Sequence, residues 1–224
     1  MFKHGIFAGM QYPELKSYGS SLFPKLLGSY EKELNPVIEA ICKESYSTIV
    51  NIGCGEGYYS VGLAMRIPKA IVYAFDTNKE AISLCKQMAE LNGVEDRVIT
   101  GLFCNAKTLM SIPFSGRSLI FSDCEGYEKE LFSEEIINAL SMHDFLIEIH
   151  DFIDISISSI IQQHFNRTHK IEIIQSVDDI KKAQTYHYPE IESYNRVTRR
   201  ILLGEYRPAI MEWFFLKPLD NNSS

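Results

Sequence analysis

The feature that most constrains this fold is a glycine-rich turn between a buried strand and a helix. The turn spans residues 51–57, reads NIGCGEG, and follows the β-branched run that begins at Thr48. Glycine permits a tight turn and lets the backbone approach a ligand closely. A strand rich in β-branched residues is typical of a sheet that is covered on both faces. The turn therefore predicts an α/β sheet with a ligand site at the carboxyl end of this strand.

Short apolar strands alternate with helices downstream of residue 35. Helices are predicted from Asn35, over 58–65, over 78–91 and from Ser133, and strands over 48–52, 71–75, 98–103, 119–122, 145–149, 170–174 and 213–216. This alternation is typical of a mostly parallel sheet with helices on both faces.

The chain of 224 residues has the length of a single domain. We predict an N-terminal helical cap over 1–44, a core over 45–175, an insertion over 176–210 and a closing strand over 211–218. Residues 220–224 read as a frayed polar tail. The insertion is too long for a structureless loop, so an extra helix or a functional role is expected there.

Composition narrows the classes of function. The net charge of −7 weighs against an extended nucleic-acid footprint, which needs clustered basic residues. No stretch approaches the ~20 apolar residues of a membrane span, and the start lacks the apolar core of a secretory signal. Five cysteines without a Cys-x-x-Cys pair predict reduced thiols in a cytoplasmic protein, with neither disulfides nor zinc. Oligomeric state is not indicated.

Side chains around the turn favour an adenosine-like ligand. Tyr58 stands where a dinucleotide fingerprint has a third glycine, and that glycine serves pyrophosphate binding. Asp76 ends the next strand and suits the ribose hydroxyls, although an Asp there also suits a turn that caps the following helix. Asn105 and Ala106 follow the third strand, where the base would lie, and Asn is equally common in turns.

These ordered motifs resemble those of class I methyltransferases over about residues 45–150. The resemblance implies a Rossmann-like α/β sheet of seven strands with the last strand antiparallel, and S-adenosylmethionine as the cofactor. It departs at Asn51, where the family usually has an acid that helps to hold the methionine portion. The implied cofactor-binding residues are Asn51, Gly53, Gly55, Gly57, Asp76, Asn105, Ala106 and Asp123.

A narrower resemblance concerns the fourth and fifth strands. Residues 122–128 read SDCEGYE and residues 146–151 read LIEIHD, and together they are similar to FkbM-type methyltransferases. Residues 27–34 and 207–213 also look like segments of that group. The resemblance implies O-methylation of a hydroxyl on a small molecule or sugar.

Three residues at these strand ends are candidates for catalysis: Asp123, Glu125 and His150. Methylation of a hydroxyl needs a group that takes its proton, and an imidazole with a pKa near 6.5 suits that task. The alternative for His150 is a rim histidine hydrogen-bonded to Asp151 or Glu148. The acids Asp123, Glu125 and Glu148 also permit a Mg²⁺ site, but a metal-free polar rim is favoured.

Three further interpretations remain open. The Tyr- and Arg-rich insertion could be a lid over the acceptor or an ordinary amphipathic helix with a basic face. A nicotinamide-dependent oxidoreductase is disfavoured by Tyr58 and by the DCEG segment at 123–126. A binding module that has lost catalysis is conceivable because of Asn51. No Asn/Asp-Pro-Pro-Tyr segment, typical of nucleobase methylation, follows the fourth strand.

Overall fold

A seven-stranded sheet organises the structure, a computed structural model that describes residues 1–219. The strands are β1 (Thr48–Ile52), β2 (Ile71–Phe75), β3 (Val98–Gly101), β4 (Ser118–Ser122), β5 (Asp144–Ile149), β6 (His169–Gln175) and β7 (Glu212–Pro218). They lie in the order β3-β2-β1-β4-β5-β7-β6, and β7 is antiparallel to both of its neighbours. The predicted sheet is confirmed, and every predicted strand is present within two residues at each end. The tail predicted over 220–224 lies outside the described residues.

Helices cover both faces of this sheet. They are α1 (Leu22–Leu27), α2 (Asn35–Lys43), α3 (Tyr58–Arg66), α4 (Lys79–Leu91), α5 (Ala106–Met110), α6 (Glu128–Leu131), α7 (Glu134–Ala139), α8 (Ile157–Phe165), α9 (Asp179–Thr185) and α10 (Arg196–Leu203). Side chains alternate between the faces of a strand, so Ile49 packs with α2, α3 and α4, whereas Val50 packs with α7 and α8. Within residues 1–219, no helix is both long and apolar enough to cross a membrane.

The order of the strands positions the functional site. The chain proceeds outward from β1 to β2 and β3, and then returns to place β4 on the other side of β1. A crevice forms at such a reversal, at the carboxyl ends of the two central strands. The β1–β4 register aligns Ile52 with Ser122. The glycine turn after β1 and the DCEG segment after β4 therefore meet.

The N-terminal segment is only partly helical. Residues 1–21 form no helix, although α1, a 3₁₀ turn over Lys32–Leu34 and α2 follow. Phe2 and Phe7 are buried, and their rings meet the ring of Tyr58 on α3 edge to face. Apolar contacts hold residues 1–21 in place without a helix. A sequence rich in apolar residues is compatible with either structure, so the sequence did not exclude a helix here.

The insertion over 176–210 contains two helices, α9 and α10, which pack against each other. Helix α10 also contacts α1. The extra helix that was expected in this segment is therefore present. Its function as a lid stays a prediction.

A buried ion pair joins the N-terminal segment to the glycine turn. Lys25 Nζ lies 2.5 Å from Glu56 Oε1, and the two side chains are 5% and 0% exposed. Glu56 also accepts hydrogen bonds from Ser17 Oγ at 2.9 Å and from the Tyr18 amide at 3.0 Å. Burial opposes the charge of Glu56, but Lys25 and these donors outweigh burial and lower its pKa. The carboxylate is thus charged and fully partnered.

Lys25→Met should lower the free energy of unfolding by about 3–5 kcal/mol, because it leaves the Glu56 carboxylate buried without its counter-charge. Lys16→Met is the matched control, since Lys16 pairs with Glu80 in solvent and such pairs contribute under about 1 kcal/mol. Urea unfolding at pH 7 measures both. Equal losses in the two variants would contradict the importance of the buried pair.

Candidate functional site

A cavity of about 490 Å³ lies at the carboxyl ends of β1, β2 and β4; we call it the first cavity. Five predicted cofactor-binding residues line it: Asn51, Gly53, Gly55, Asp76 and Asp123. Much of the remaining wall is aromatic or apolar, with Tyr18, Tyr30, Tyr58, Tyr59, Phe75, Leu102, Phe103, Cys104, Phe121 and Tyr127. The structure thus brings together residues that are up to 72 positions apart (51 to 123).

The glycine turn shows why its first position excludes a side chain. Gly53 has φ 80°, and a Cβ there would lie 1.6 Å from the Asp123 carbonyl oxygen. The amides of Gly53 and Cys54 donate to the Phe75 carbonyl at 2.8 and 2.9 Å. Gly57 does not line the cavity; a Cβ there would lie 2.8 Å from Cys85 Sγ on α4. Gly57 therefore serves helix packing, and the structure does not bring it to the ligand site.

Asp76 both shapes the turn and faces the cavity. One carboxylate oxygen accepts from the Gly55 amide and the other from the Asn78 amide, each at 2.8 Å. A carboxylate has about four lone-pair positions, so acceptor capacity remains for hydroxyl groups of a ligand. The turn interpretation and the ligand interpretation of Asp76 are therefore compatible.

Asn105 and Ala106 are not among the residues that line the first cavity. Asn105 Oδ1 instead accepts from the Thr108 amide at 2.9 Å and caps α5. Phe103 and Cys104, which precede them, line the wall there, and the contact of Asn105 and Ala106 with an adenine ring stays a prediction. Asn has the same local chemistry in a cap as in a ligand contact, so the sequence did not distinguish the two.

Asn51 presents an unused acceptor. Its side chain is buried, and Nδ2 donates to Ser60 Oγ at 2.8 Å. Oδ1 has no hydrogen-bond partner among residues 1–219, and Asn51 lines the cavity. A buried polar atom without a partner costs about 1–3 kcal/mol. A ligand that donates a hydrogen bond here would remove that cost.

A second cavity of about 120 Å³ adjoins the first. The two share Gly19, Ser20, Tyr30, Asp123 and Glu125, and the second adds Glu148, His150, Phe152, Glu205, Tyr206, Arg207, Pro208 and Met211. All three predicted catalytic residues line it, as does Glu148 from the alternative metal set. Residues 19 and 20 belong to the N-terminal segment, which therefore contributes to the walls of both cavities.

His150 is held by a carboxylate that the sequence did not reveal. Its side chain is 3% exposed, and Nδ1 lies 2.7 Å from Glu128 Oε1 on α6. Burial lowers the pKa of His150, but the carboxylates of Asp123 and Glu128 outweigh burial and raise it to about 10. The ring is therefore protonated at neutral pH, which corrects the expected pKa near 6.5. Asp151 is no partner of the ring, because it accepts from the Ser158 amide.

Arg207 is the centre of a buried charge network. Its guanidinium donates to Glu31, to Glu148 and to Glu205. Burial raises the pKa of Glu148 well above its usual range, with Asp123 adding to the shift and Arg207 opposing it. Burial likewise raises the pKa of Glu31 to about 7, although Arg207 opposes that shift as well.

Backbone strain is concentrated around this network. The three non-glycine residues with positive φ in the described part of the chain are Glu31 (45°), Glu125 (52°) and Tyr206 (55°). Glu31 contacts Arg207, and the other two line the second cavity. Such conformations cost about 1–3 kcal/mol each and collect at functional sites. The strain supports the assignment of this region as the site.

The aromatic and basic residues of the insertion divide into two groups. Tyr206 and Arg207 line the second cavity. Tyr188 is buried and donates to the Gly28 carbonyl at 3.3 Å, and Arg199 donates to the Tyr186 carbonyl. Tyr188 therefore packs the insertion against the N-terminal segment, and Arg199 joins two parts of the insertion.

Comparison with known proteins agrees with this geometry. A family model described as a methyltransferase domain matches residues 43–115. The rRNA methylase from Streptococcus thermophilus has a TM-score of 0.56 at 14% identity, over 84% of this chain and 98% of that one. Residues 43–115 are thus similar to a methyltransferase domain, and the seven-stranded sheet has the Rossmann-like fold of methyltransferases.

Sequence relatives match only part of this domain. The release factor glutamine methyltransferase of Aquifex aeolicus is 34% identical over 65 residues, which are 29% of this chain and 23% of the relative. The ribosomal protein L11 methyltransferase of Acinetobacter baumannii is 43% identical over 54 residues, which are 24% and 18%. The matches thus span less than a quarter of these relatives.

The pKa of His150 can be measured directly. In chelator-treated protein, ¹⁵N NMR should show the ring protonated at pH 7 with a pKa of about 10, while burial lowers the pKa of His143 and His169 as internal controls. Because the pKa is raised, the stability that His150 contributes is present below pH 6.5 and is lost as the pH rises through about 10. Glu128→Gln should lower the pKa by at least about 1 unit. A ring that is neutral at pH 7 would contradict this account.

Proposed function

We propose that this protein transfers the methyl group of S-adenosylmethionine to a hydroxyl of a small molecule or sugar. One observation carries the proposal: Asp123 lies in the wall that both cavities share. A methyl donor in the first cavity and an acceptor in the second would meet beside this carboxylate.

The first cavity fits the proposed cofactor in three places. Asp76 has acceptor capacity for the ribose hydroxyls, and Phe103 and Tyr127 supply aromatic wall for an adenine ring. The unpartnered Oδ1 of Asn51 suits the ammonium of the methionine portion. Asn51 thus supplies a hydrogen-bond acceptor where the family usually supplies a charge. The bound cofactor provides a methyl group on a positively charged sulfur.

The residues of the second cavity accept the proton of the hydroxyl and orient its oxygen. Asp123 is placed to accept the proton that the hydroxyl loses as its oxygen attacks the methyl group. His150 is protonated at neutral pH, so it donates a hydrogen bond that orients the acceptor oxygen instead of acting as the base. Confinement between the cavity walls supplies alignment, which contributes much of the rate in such reactions.

The nature of the acceptor rests on the size of the second cavity and on the narrower family resemblance. About 120 Å³ suits a single functional group or a small ring better than a folded partner. The DCEG and EIHD segments that resemble FkbM-type methyltransferases lie at the ends of β4 and β5, beside this cavity. Both features support a hydroxyl on a small molecule or sugar.

Cofactor binding distinguishes this proposal from a nicotinamide-dependent oxidoreductase. Isothermal titration with S-adenosylhomocysteine should show one saturable site, and NADH should not bind. Asp76→Ala should weaken binding at least tenfold, or about 1.4 kcal/mol, because the ribose loses its acceptor. Asp96→Ala, which changes an exposed acid in the 3₁₀ turn before β3, should leave the affinity unchanged. Saturable binding of NADH alone would refute the proposal.

The role of Asp123 is separable from cofactor binding. With an acceptor drawn from a panel of sugars and phenols, Asp123→Asn should lower kcat at least about 100-fold by removing the proton acceptor. The affinity for S-adenosylhomocysteine should stay within about twofold. Asp151→Asn is the control, since Asp151 accepts from Ser158 at the start of α8. Transfer of radioactive methyl measures the rate. Cofactor binding without transfer to any acceptor would favour an inactive binding module.

A further inference from the structure

We propose that Asp123, Glu148 and His150 bind one divalent first-row transition-metal ion, such as Mn²⁺, at the junction of the two cavities. The ion's use, to hold the acceptor oxygen, rests on the function proposed above. The binding site itself is inferred independently of that function, from geometry, burial and charge.

Three potential ligand atoms converge on one point. His150 Nε2 lies 3.4 Å from Asp123 Oδ1 and 3.9 Å from Glu148 Oε2, and one ligand atom from each residue lies within 4.8 Å of the other two. Metal–ligand bonds of about 2.1 Å place neighbouring ligands about 3.0–3.5 Å apart. The observed separations therefore need only small side-chain movements to surround an ion.

The orientation of His150 is the independent observation that points to a ligand. Glu128 is fully buried and engages Nδ1, which directs Nε2 of a ring that is itself 3% exposed toward the cavity. Nε2 has no partner within the usual hydrogen-bond range of about 2.7–3.2 Å. A carboxylate behind a histidine is the arrangement that fixes metal-binding imidazoles.

The two carboxylates also present unused oxygens to the same point. Glu148 is 5% exposed, and Arg207 occupies only its Oε1. Asp123 Oδ1 has no hydrogen-bond partner in the described part of the chain, and Glu148 Oε2 lies 3.9 Å from His150 Nε2. If Asp123 binds the ion through Oδ1, Oδ2 remains free to accept the acceptor's proton. Ligation is thus compatible with the role proposed for Asp123, whereas at His150 the ion takes the place of the Nε2 proton and itself orients the acceptor oxygen.

Charge favours a cation at this point. Four carboxylates lie within 4 Å of the His150 ring nitrogens: Asp123, Glu125, Glu128 and Glu148. Arg207 is the one cationic side chain in the wall of the second cavity besides His150. A divalent ion would place positive charge among these carboxylates and would hold Glu148 in its charged, ligating form.

The donor set selects the type of metal. Imidazole together with carboxylates suits Mn²⁺, Fe²⁺ or Zn²⁺, whereas Mg²⁺ prefers oxygen ligands and retains several waters. The sequence suggested Mg²⁺ with Glu125 as a ligand. In the structure Glu125 Oε2 is 3.7 Å from Nε2 but its side chain is 67% exposed, so His150 replaces it as the inner ligand.

Mn²⁺ binding to the full chain, stripped of metal with a chelator, tests the inference. Loss of the free Mn²⁺ signal in electron paramagnetic resonance should reveal one saturable site per chain. Electron spin-echo modulation from ¹⁴N should report the imidazole ligand. His150→Gln should abolish that modulation, and Asp123→Asn, Glu148→Gln and His150→Gln should each weaken binding at least tenfold.

His187→Gln is the matched control, because His187 contacts Glu192 in solvent far along the chain from the site. It should bind Mn²⁺ like the unaltered protein. Circular dichroism of the same samples shows that each variant is folded, and S-adenosylhomocysteine affinity of the unaltered protein keeps failure of the cofactor proposal separate from failure of the metal site.

Two results would overturn the inference. One is the absence of saturable Mn²⁺ binding, or binding that is equal in the control and the three site variants. The other is binding of methylammonium at the site, with loss of its affinity in Glu148→Gln, while Mn²⁺ does not bind. That outcome would assign the carboxylates to recognition of a cationic acceptor.

Discussion

The functional half of this structure depends on one guanidinium. Arg207 donates to carboxylates from three separate parts of the chain: Glu31 in the N-terminal segment, Glu148 on β5 and Glu205 after α10. Without a cation, these buried acids would repel one another and force the segments apart. With Arg207 in place, the N-terminal segment, the sheet and the insertion pack together around the second cavity.

The same charges determine which groups hold protons. Burial favours the neutral form of an acid, and the pKa of Glu31 and of Glu148 rises accordingly. Surrounding carboxylates favour the charged form of an imidazole, so the pKa of His150 rises despite its burial. The carboxylates around His150 therefore favour positive charge, and a proton on the ring is one form in which it is present.

Local pattern predicted the sheet and half of the site. The local sequence predicted the strands, the turn at 51–57, Asp76 and Asp123. Strand ends and glycine spacing depend only on neighbouring residues. Glu128 was not, since its contact with His150 spans 22 positions and depends on the short helix α6. The pairing of Arg207 with Glu31 spans 176 positions, and no local signal identifies such a partner. Asn105 caps α5, and the sequence alone did not separate that use of the side chain from a ligand contact.

The contact between Gly53 and the Asp123 carbonyl has a consequence for how precisely the two cavities are aligned. Peptide units, with no side chain between them, set the spacing between the turn after β1 and the segment after β4. Because β1 and β4 are neighbours in register, that spacing can change only if one strand shifts by a whole residue. Side chains lining either cavity can change while the spacing between the two cavities stays constant.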